Sequence, residues 1–383
     1  MSYNNTKKYL YNYIALDFFA GSGLVSYSIR PYFKVVWAND ICQKKAEVYI
    51  SNHDKKHFHL DSIENIHGKD LPAVDLSWAS FPCQDLSLAG KTEGINAKRS
   101  GLVWQWLRVM DEMPQKPDLL VAENVEGFIS SAKGEHYKIF HMELEKRGYI
   151  AGAILLDAAN WIPQSRPRIF VIAIKSDINI PKNLISETPS WVHNESIKRV
   201  SKILKNWIFW YMPSPPSREK NLMDIIEWDD TKWDSEEKTQ RLFELIPARH
   251  LIKLNEYDTI AVTGYKRTRN NKQTLELRFD GTAGCLRTPQ GGSSRQFLIY
   301  KKGQEYYTRL LLIREVARLM GVPDTYKLPK KYNDAYKAMG DAVAVPVVNY
   351  LAKSLLLPLA VTIKCQRERE EQNDSLISEA YGL

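Results

Sequence analysis

Short runs of apolar, β-branched and aromatic residues alternate with helical patterns through the first half of the chain, the arrangement of a doubly wound α/β sheet. Tyr13 to Asp17 reads as a first strand, and the turn Ala20-Gly21-Ser22-Gly23 leads into a helix from Leu24 to Ile29. Lys34 to Asn39 reads as a second strand closed by Asp40, then come a helix, Gln43 to Asn52, and a short strand ending near Asp61. The runs Val74 to Trp78 and Asp118 to Val125 predict two more strands, and Tyr149 to Leu156 with Arg168 to Ile174 a pair close enough to lie antiparallel. Farther on, Leu310, Leu311, Ile313, Val316, Ala317 and Leu319 fit one broad helix stopped by Gly321 and Pro323. The longest apolar stretch, Leu355 to Ile363, is broken by Pro358 and reads as a buried terminal helix or strand; nothing reaches the length of a membrane span.

Past Lys175 the alternation weakens. Pro181, Pro189, Pro213, Pro215, Pro216 and a tryptophan-rich, charged region up to Leu245 set a domain boundary near 180. At 383 residues the chain is long enough for two domains. Its four cysteines, Cys42, Cys83, Cys285 and Cys365, have neither the density nor the spacing of a disulfide scaffold or zinc site. With no apolar signal core in Met1 to Tyr13, this points to a reducing, cytoplasmic setting. The net charge of +8 is unevenly spread: Ile246 to Arg309 carries 12 Lys/Arg against 5 Asp/Glu. Such a block suits a surface that meets phosphates, although charge alone equally describes a solvated basic face. The tail Arg367 to Asp374 reads as a solvated helix or a disordered segment.

Ligands and reacting groups in a parallel sheet gather beyond the carboxyl ends of the strands. Phe81-Pro82-Cys83-Gln84 and Glu123-Asn124-Val125 therefore share one crevice, which sets a thiol nucleophile beside a carboxylic acid. A cysteine is more often a small buried hydrophobe. Here, however, Pro82 fixes the backbone and removes a donor, and Gln84, Asp85 and Ser87 are polar where a core strand would stay apolar. The loop Asp17 to Gly23 lies between strand and helix, with Asp40 placed to bond a ribose hydroxyl. Ser26 stands where a dinucleotide fingerprint needs its third glycine. A nucleoside with an amino-acid tail, S-adenosylmethionine, fits better, the alternative being a plain tight turn.

Together, Asp17 to Gly23, Phe81-Pro82-Cys83-Gln84, Glu123-Asn124-Val125, Gln164-Ser165-Arg166-Pro167-Arg168, Arg314 to Leu319 and Gly340-Asp341-Ala342-Val343 resemble the DNA cytosine-5 methyltransferases, in that family's order. Only about 182–280 is left unmatched. The resemblance implies an α/β fold with a doubly wound, mostly parallel sheet of the class I S-adenosylmethionine-dependent methyltransferases over residues 1–181. It also implies a smaller target-recognition domain with a hinge over 182–325, and a segment 326–383 that returns to the catalytic domain. The implied reaction moves a methyl group from S-adenosyl-L-methionine, leaving S-adenosyl-L-homocysteine and needing no metal, to carbon 5 of a cytosine flipped from duplex DNA at a specific sequence.

By the same resemblance, Cys83 adds to carbon 6, Glu123 donates to ring nitrogen 3 if burial keeps it protonated, and Arg166 and Arg168 hold the base oxygen and orient the acid. Phe19, Gly21 and Gly23 would line the methionine and adenosine moieties, Asp40 bond the ribose, Ile41 pack on adenine and Asp61 accept from its amino group. Pro82, Val103, Asp341 and Val343 would close that site. Leu24 replaces the usual last glycine of the first motif, Asp341 the usual asparagine, and Ile313 and Met320 stand where proline and glutamine are commoner. An acid at Asp341 could favour the donor's sulfonium or amino group and repel its carboxylate.

For DNA, the stretch Ser87 to Gly101, with Ser87, Lys91 and Arg99, reads as a loop able to close over the extruded base or as an ordinary exposed loop. Lys266, Arg267, Arg269, Arg287 and Arg295 would reach phosphates and guanine edges. The implied partners are double-stranded DNA, met as a monomer, and a cognate restriction endonuclease encoded separately, with no membrane. Three rivals remain: an RNA cytosine-5 methyltransferase, a silent DNA-binding module, and a dinucleotide-dependent oxidoreductase, which gives Cys83, Glu123 and the paired arginines no task.

Overall fold

A computed structural model describes residues 13–82, 101–229, 232–269, 271–287 and 295–381. Seven strands form the main sheet: β1 (Tyr13–Phe18), β2 (Phe33–Asp40), β3 (Phe58–Leu60), β4 (Leu76–Ala79), β5 (Leu119–Asn124), β6 (Tyr149–Asp157) and β7 (Pro167–Lys175). Their order is β3-β2-β1-β4-β5-β7-β6. β1 to β5 pair in parallel, while β7 enters antiparallel between β5 and β6, its hairpin partner. Strand order turns back between β1 and β4, so the crevice of this sheet opens beyond Phe18 and Ala79.

Period-two geometry points alternate residues to opposite faces of the sheet, and in the central strands β4 and β5 both faces are buried. Leu119 and Val121 point into one core with α1 (Leu24–Ile29) and the helices near the C-terminus; Leu120 and Ala122 point into the other, with Trp106, Tyr137 and Phe140 from helices Leu102–Glu112 and Glu135–Lys146. That is why β5 lacks the alternation of a half-exposed strand and is buried along its whole length. The helix predicted for Gln43 to Asn52 forms as α2 (Gln43–Asn52).

A two-stranded ribbon, β8 (Ile185–Ser186) and β9 (Phe209–Trp210), follows the main sheet. Next comes a four-stranded antiparallel sheet of β10 (Thr259–Arg269), β11 (Lys272–Arg278), β12 (Phe297–Lys302) and β13 (Glu305–Leu310), ordered β11-β10-β12-β13 over a small core that includes Leu254, Val262, Leu275 and Ile299. The broad helix expected from Leu310 to Leu319 needs correction: Leu310 ends β13, and the helix spans only Ile313–Arg318. Glu315 sets the break. Its carboxylate accepts from the Leu312 amide at 2.7 Å, capping the helix, and pairs at 2.6 Å with Arg309 of β13, both side chains being buried.

After the helix Tyr332–Gly340 the chain packs back on the main sheet through Val345–Leu351, a π-helical turn at Ala352–Leu356 and a long helix, Leu357–Tyr381. Among the described residues, Tyr332–Asn373 does contain a window long and apolar enough to cross a membrane, contrary to the sequence reading. Its Leu351, Leu355, Leu356 and Leu359 are buried in the core beside β1 and β4. The charged tail is helical, and Arg367 ties it to Asp118 at 2.9 Å and Asp177 at 2.8 Å.

Candidate active site

The loop after β1 makes its turn with three backbone conformations of positive φ: Phe19 at 57°, Gly21 at 55° and Gly23 at 85°. Gly23 has no room for a side chain, because a Cβ there would overlap the His53 ring and press on Tyr49. Asp40, at the end of β2, holds the loop by accepting from the Gly21 amide at 2.9 Å and, with its other oxygen, from the Cys42 amide at 2.8 Å. Each carboxylate oxygen keeps a lone pair for a further donor such as a ribose hydroxyl. The C-terminal segment secures the loop's other side: Ser22 Oγ donates to Ala338 O at 2.8 Å, and Tyr326 Oη donates to Ser22 O at 2.6 Å.

Around this loop Ile41 is 71% exposed, an unusual state for isoleucine and an apolar shelf for a flat ring. Asp61 is exposed and accepts from Ser62 N and Asn65 Nδ2. Val103 and Val343 are buried and Pro82 is exposed. The Asp341 side chain is partly exposed and its Oδ2 sits 2.8 Å from Lys45 Nζ. Positive-φ glycines, a carboxylate at the β2 end and an open apolar shelf fit a nucleoside with a charged tail.

Sequence reasoning took Ser26 only as a missing glycine. Its hydroxyl in fact donates to the fully buried Asp17 at 2.6 Å and lies 2.9 Å from Tyr49 Oη, which is 2.9 Å from His57 Nε2. Burial pushes the Asp17 carboxyl up to about 7 against the lowering effect of Ser26, with the Asp40 charge a smaller contribution in the same direction as burial. Asp17 opens the recognised motif, but its neighbours in space are separated in sequence, so only the fold reveals the relay.

At the end of β5, Glu123 is 6% exposed, and Arg168 Nε of β7 lies 3.3 Å from its Oε1. Burial holds the Glu123 carboxyl above its ordinary value, although Arg168, Arg166 and a Ser80 hydrogen bond all oppose the shift. Next to it, Asn124 Nδ2 donates to Phe81 O at 2.9 Å, fixing the Phe81-Pro82 peptide against the carboxyl end of β5. Cys83 follows Pro82 in the chain and lies outside the described residues, as do Ser87, Lys91 and Arg99.

Arg166 has a different environment from Arg168. It is buried, donating through Nη1 to Leu286 O at 2.8 Å and Cys285 Sγ at 3.3 Å, and through Nη2 to Gly340 O at 2.8 Å and to Ala342 O. Burial, with Arg168 nearby, lowers it to about 10, so it stays charged near neutrality. Gln164 completes this junction: Nε2 donates to Leu319 O, and Oε1 accepts from Leu286 N at 3.1 Å. The motif thus joins 164–168 to 283–286 and to 319–342, a role that its sequence does not disclose. Cys285 was likewise overlooked; burial raises its thiol, yet Arg166, Arg168 and Arg287 outweigh that and hold it below the usual range.

The basic residues divide into two groups. Arg287 is exposed near Cys285, and Arg295 lies with Cζ 5.7 Å over the Tyr332 ring. Lys266, Arg267 and Arg269 lie where β10 outruns β12 and pairs only with β11. Lys266 Nζ is 5.2 Å over Phe297, and Arg267 Nε is 3.1 Å from Glu276 while its Cζ is 4.6 Å over Tyr265.

The sheet order, with β7 antiparallel beside β5 and a glycine loop after β1, defines the class I S-adenosylmethionine-dependent methyltransferase fold. Solved structures agree at the level of fold: the S. pombe Dnmt2 methyltransferase has a TM-score of 0.59 at 20% identity, covering 90% of this chain and 98% of that one. A Spodoptera frugiperda DNMT2 mutant has a TM-score of 0.63 at 18% identity, covering 91% and 100%. The chain belongs to the C-5 cytosine-specific DNA methylases, whose family model matches residues 13–357, and it is a DNA cytosine-5 methyltransferase. Among curated relatives, the type II methyltransferase M.FnuDI of Fusobacterium nucleatum is 28% identical over 363 residues, 92% of this chain and 97% of that protein. M.HhaI of Haemophilus parahaemolyticus, also a type II methyltransferase, is 26% identical over 342 residues, covering 89% and 93%.

Proposed function

We propose that the protein methylates carbon 5 of a cytosine extruded from duplex DNA at one specific sequence, through a covalent bond between Cys83 and carbon 6, as the methylase of a restriction-modification pair. Carbon 5 is a poor nucleophile until electron density is pushed onto it, and thiolate addition at carbon 6 does so. As the sulfur–carbon bond forms, Glu123 gives its proton to ring nitrogen 3 and Arg168 steadies the carboxylate left behind. Bound S-adenosylmethionine supplies the methyl group to carbon 5 and leaves as the thioether. Loss of the carbon 5 proton to a base then expels Cys83 and returns the ring proton to Glu123.

The observation that carries this reading is the Asn124 hydrogen bond to Phe81 O, which holds the peptide leading into Cys83 beside the buried acid. The β1 loop with Phe19, Gly21 and Gly23, Asp40 at the end of β2, and Ile41 are assigned to the methyl donor, and the segment 182–325 with its small antiparallel sheet to reading DNA. The type II methyltransferases among its relatives support the restriction-modification role, and a separately encoded endonuclease is part of this proposal. Incubation with labelled S-adenosylmethionine and duplex DNA should label cytosine carbon 5, and Cys83→Ser should abolish it. Duplex carrying 5-fluorocytosine at the target should trap a protein–DNA adduct through Cys83; turnover without an adduct would refute the covalent route.

A further inference from the structure

We infer that Lys45 and Asp341 act together as a charge pair that recognises the amino-acid tail of the methyl donor, Lys45 taking the α-carboxylate and Asp341 the α-ammonium. The inference rests on the reading of the β1 loop as the donor's site. Lys45 lies in the first turn of α2 and Asp341 just after the helix Tyr332–Gly340, elements far apart in sequence, yet Nζ and Oδ2 are 2.8 Å apart. Both side chains are about one-fifth exposed, at 19% and 24%, so the pair borders solvent and can exchange partners with a ligand.

Its position separates it from a simple latch between helices. The adjacent Lys44 already stitches α2 to the helix Tyr332–Gly340 by pairing with Asp334 at 2.8 Å, with the lysine side chain 65% exposed. Lys45 instead covers the glycine loop: a Cβ on Gly21 would lie 3.9 Å from Lys45 Cδ and 4.0 Å from Asp40 Oδ2. Asp40 and the Lys45 stem thus border Gly21, and the Lys45 ammonium brings the Asp341 carboxylate into the same group of two carboxylates and one ammonium. A sulfonium donor carries the complement, two positive charges and one negative. Asp40 holds two backbone amides, so Asp341 is the carboxylate left to meet the α-ammonium, and Lys45 is the cation opposite the α-carboxylate. This answers the question raised by an acid at 341: Lys45 offsets the repulsion that Asp341 alone would exert on the ligand's carboxylate.

The test is equilibrium binding by calorimetry with three ligands: S-adenosylmethionine, its decarboxylated analogue, and methylthioadenosine, which has no tail. Lys45→Met keeps the apolar stem and should weaken S-adenosylmethionine by about tenfold, the scale of one charge-assisted hydrogen bond, without changing the decarboxylated analogue. Asp341→Asn should weaken both tailed ligands by about tenfold. Methylthioadenosine should be insensitive to both changes, and Lys44→Ala should alter none of the three. Equal losses for tailed and tailless ligands would make the pair a structural latch and overturn the inference. So would tight binding of S-adenosylmethionine by Lys45→Met, while leaving the donor site intact. A wild-type protein that binds none of the three would overturn the donor-site reading itself, and the inference with it.

Discussion

Glu123 is an acid sealed next to two guanidinium groups, and its direction of titration follows from which influence prevails. Burial outweighs the arginines, so the carboxyl holds its proton above the usual carboxylate range. In the proposed mechanism the protonated form is the donor, so single-turnover methylation should decline as pH rises through this elevated value. Glu123→Gln should lower the rate by about 10²- to 10⁴-fold and remove that limb of the profile, while binding of S-adenosylmethionine stays unchanged. Asp17 allows a stability test with the same sign. Its carboxyl ionises near 3.8 when unfolded and at about 7 when folded, so the native state holds a proton that the unfolded chain has lost between those values. Its contribution is complete below about 3.8 and disappears as pH rises to about 7, with a slope of about 1.4 kcal/mol per pH unit for one proton. Asp17→Asn should flatten this dependence in urea titrations and be the more stable protein at pH 8; parallel curves would refute the assignment.

At the scale of elements, the β1 loop is where backbone geometry is most demanding. Gly23→Ala combines a φ of 85° with overlap on His53, whereas Gly281, at φ 68°, has no atom within 4 Å of a built Cβ. Gly281→Ala should therefore cost about 1 kcal/mol of backbone strain and Gly23→Ala about 3 kcal/mol, compared through denaturant midpoints. This loop was legible in sequence because a strand, a glycine turn and a helix are local signals, as were Glu123 and Asn124 at the end of an unbroken apolar run. The region at Leu310 was not. Leucines at 310 and 311 continue an apolar rhythm across a strand end and a helix cap, and the Glu315 carboxylate that separates them shows no periodicity. Lys45, Cys285 and the relay from Asp17 to His57 were hidden for a related reason: their partners in space lie on other elements, or are polar residues that no local pattern marks.

The whole molecule is held together across its halves by the junction of Gln164 and Arg166, and its uneven charge bears on DNA. These two features should separate in experiment. If Arg287 and Lys266 meet phosphates, replacing either by alanine should reduce the magnitude of the slope of log affinity against log salt by about one, since each neutralised phosphate releases condensed counterion. Arg166 is sealed from solvent, and its guanidinium faces the carbonyls of Leu286, Gly340 and Ala342. Arg166→Met keeps the volume but leaves those carbonyls without their donor, which should cost about 3 kcal/mol in urea unfolding. No phosphate contact is lost, so the salt slope should match that of the wild type even where affinity falls. A reduced slope in Arg166→Met would show the arginine meeting DNA directly, and the junction would then have to open when the duplex binds.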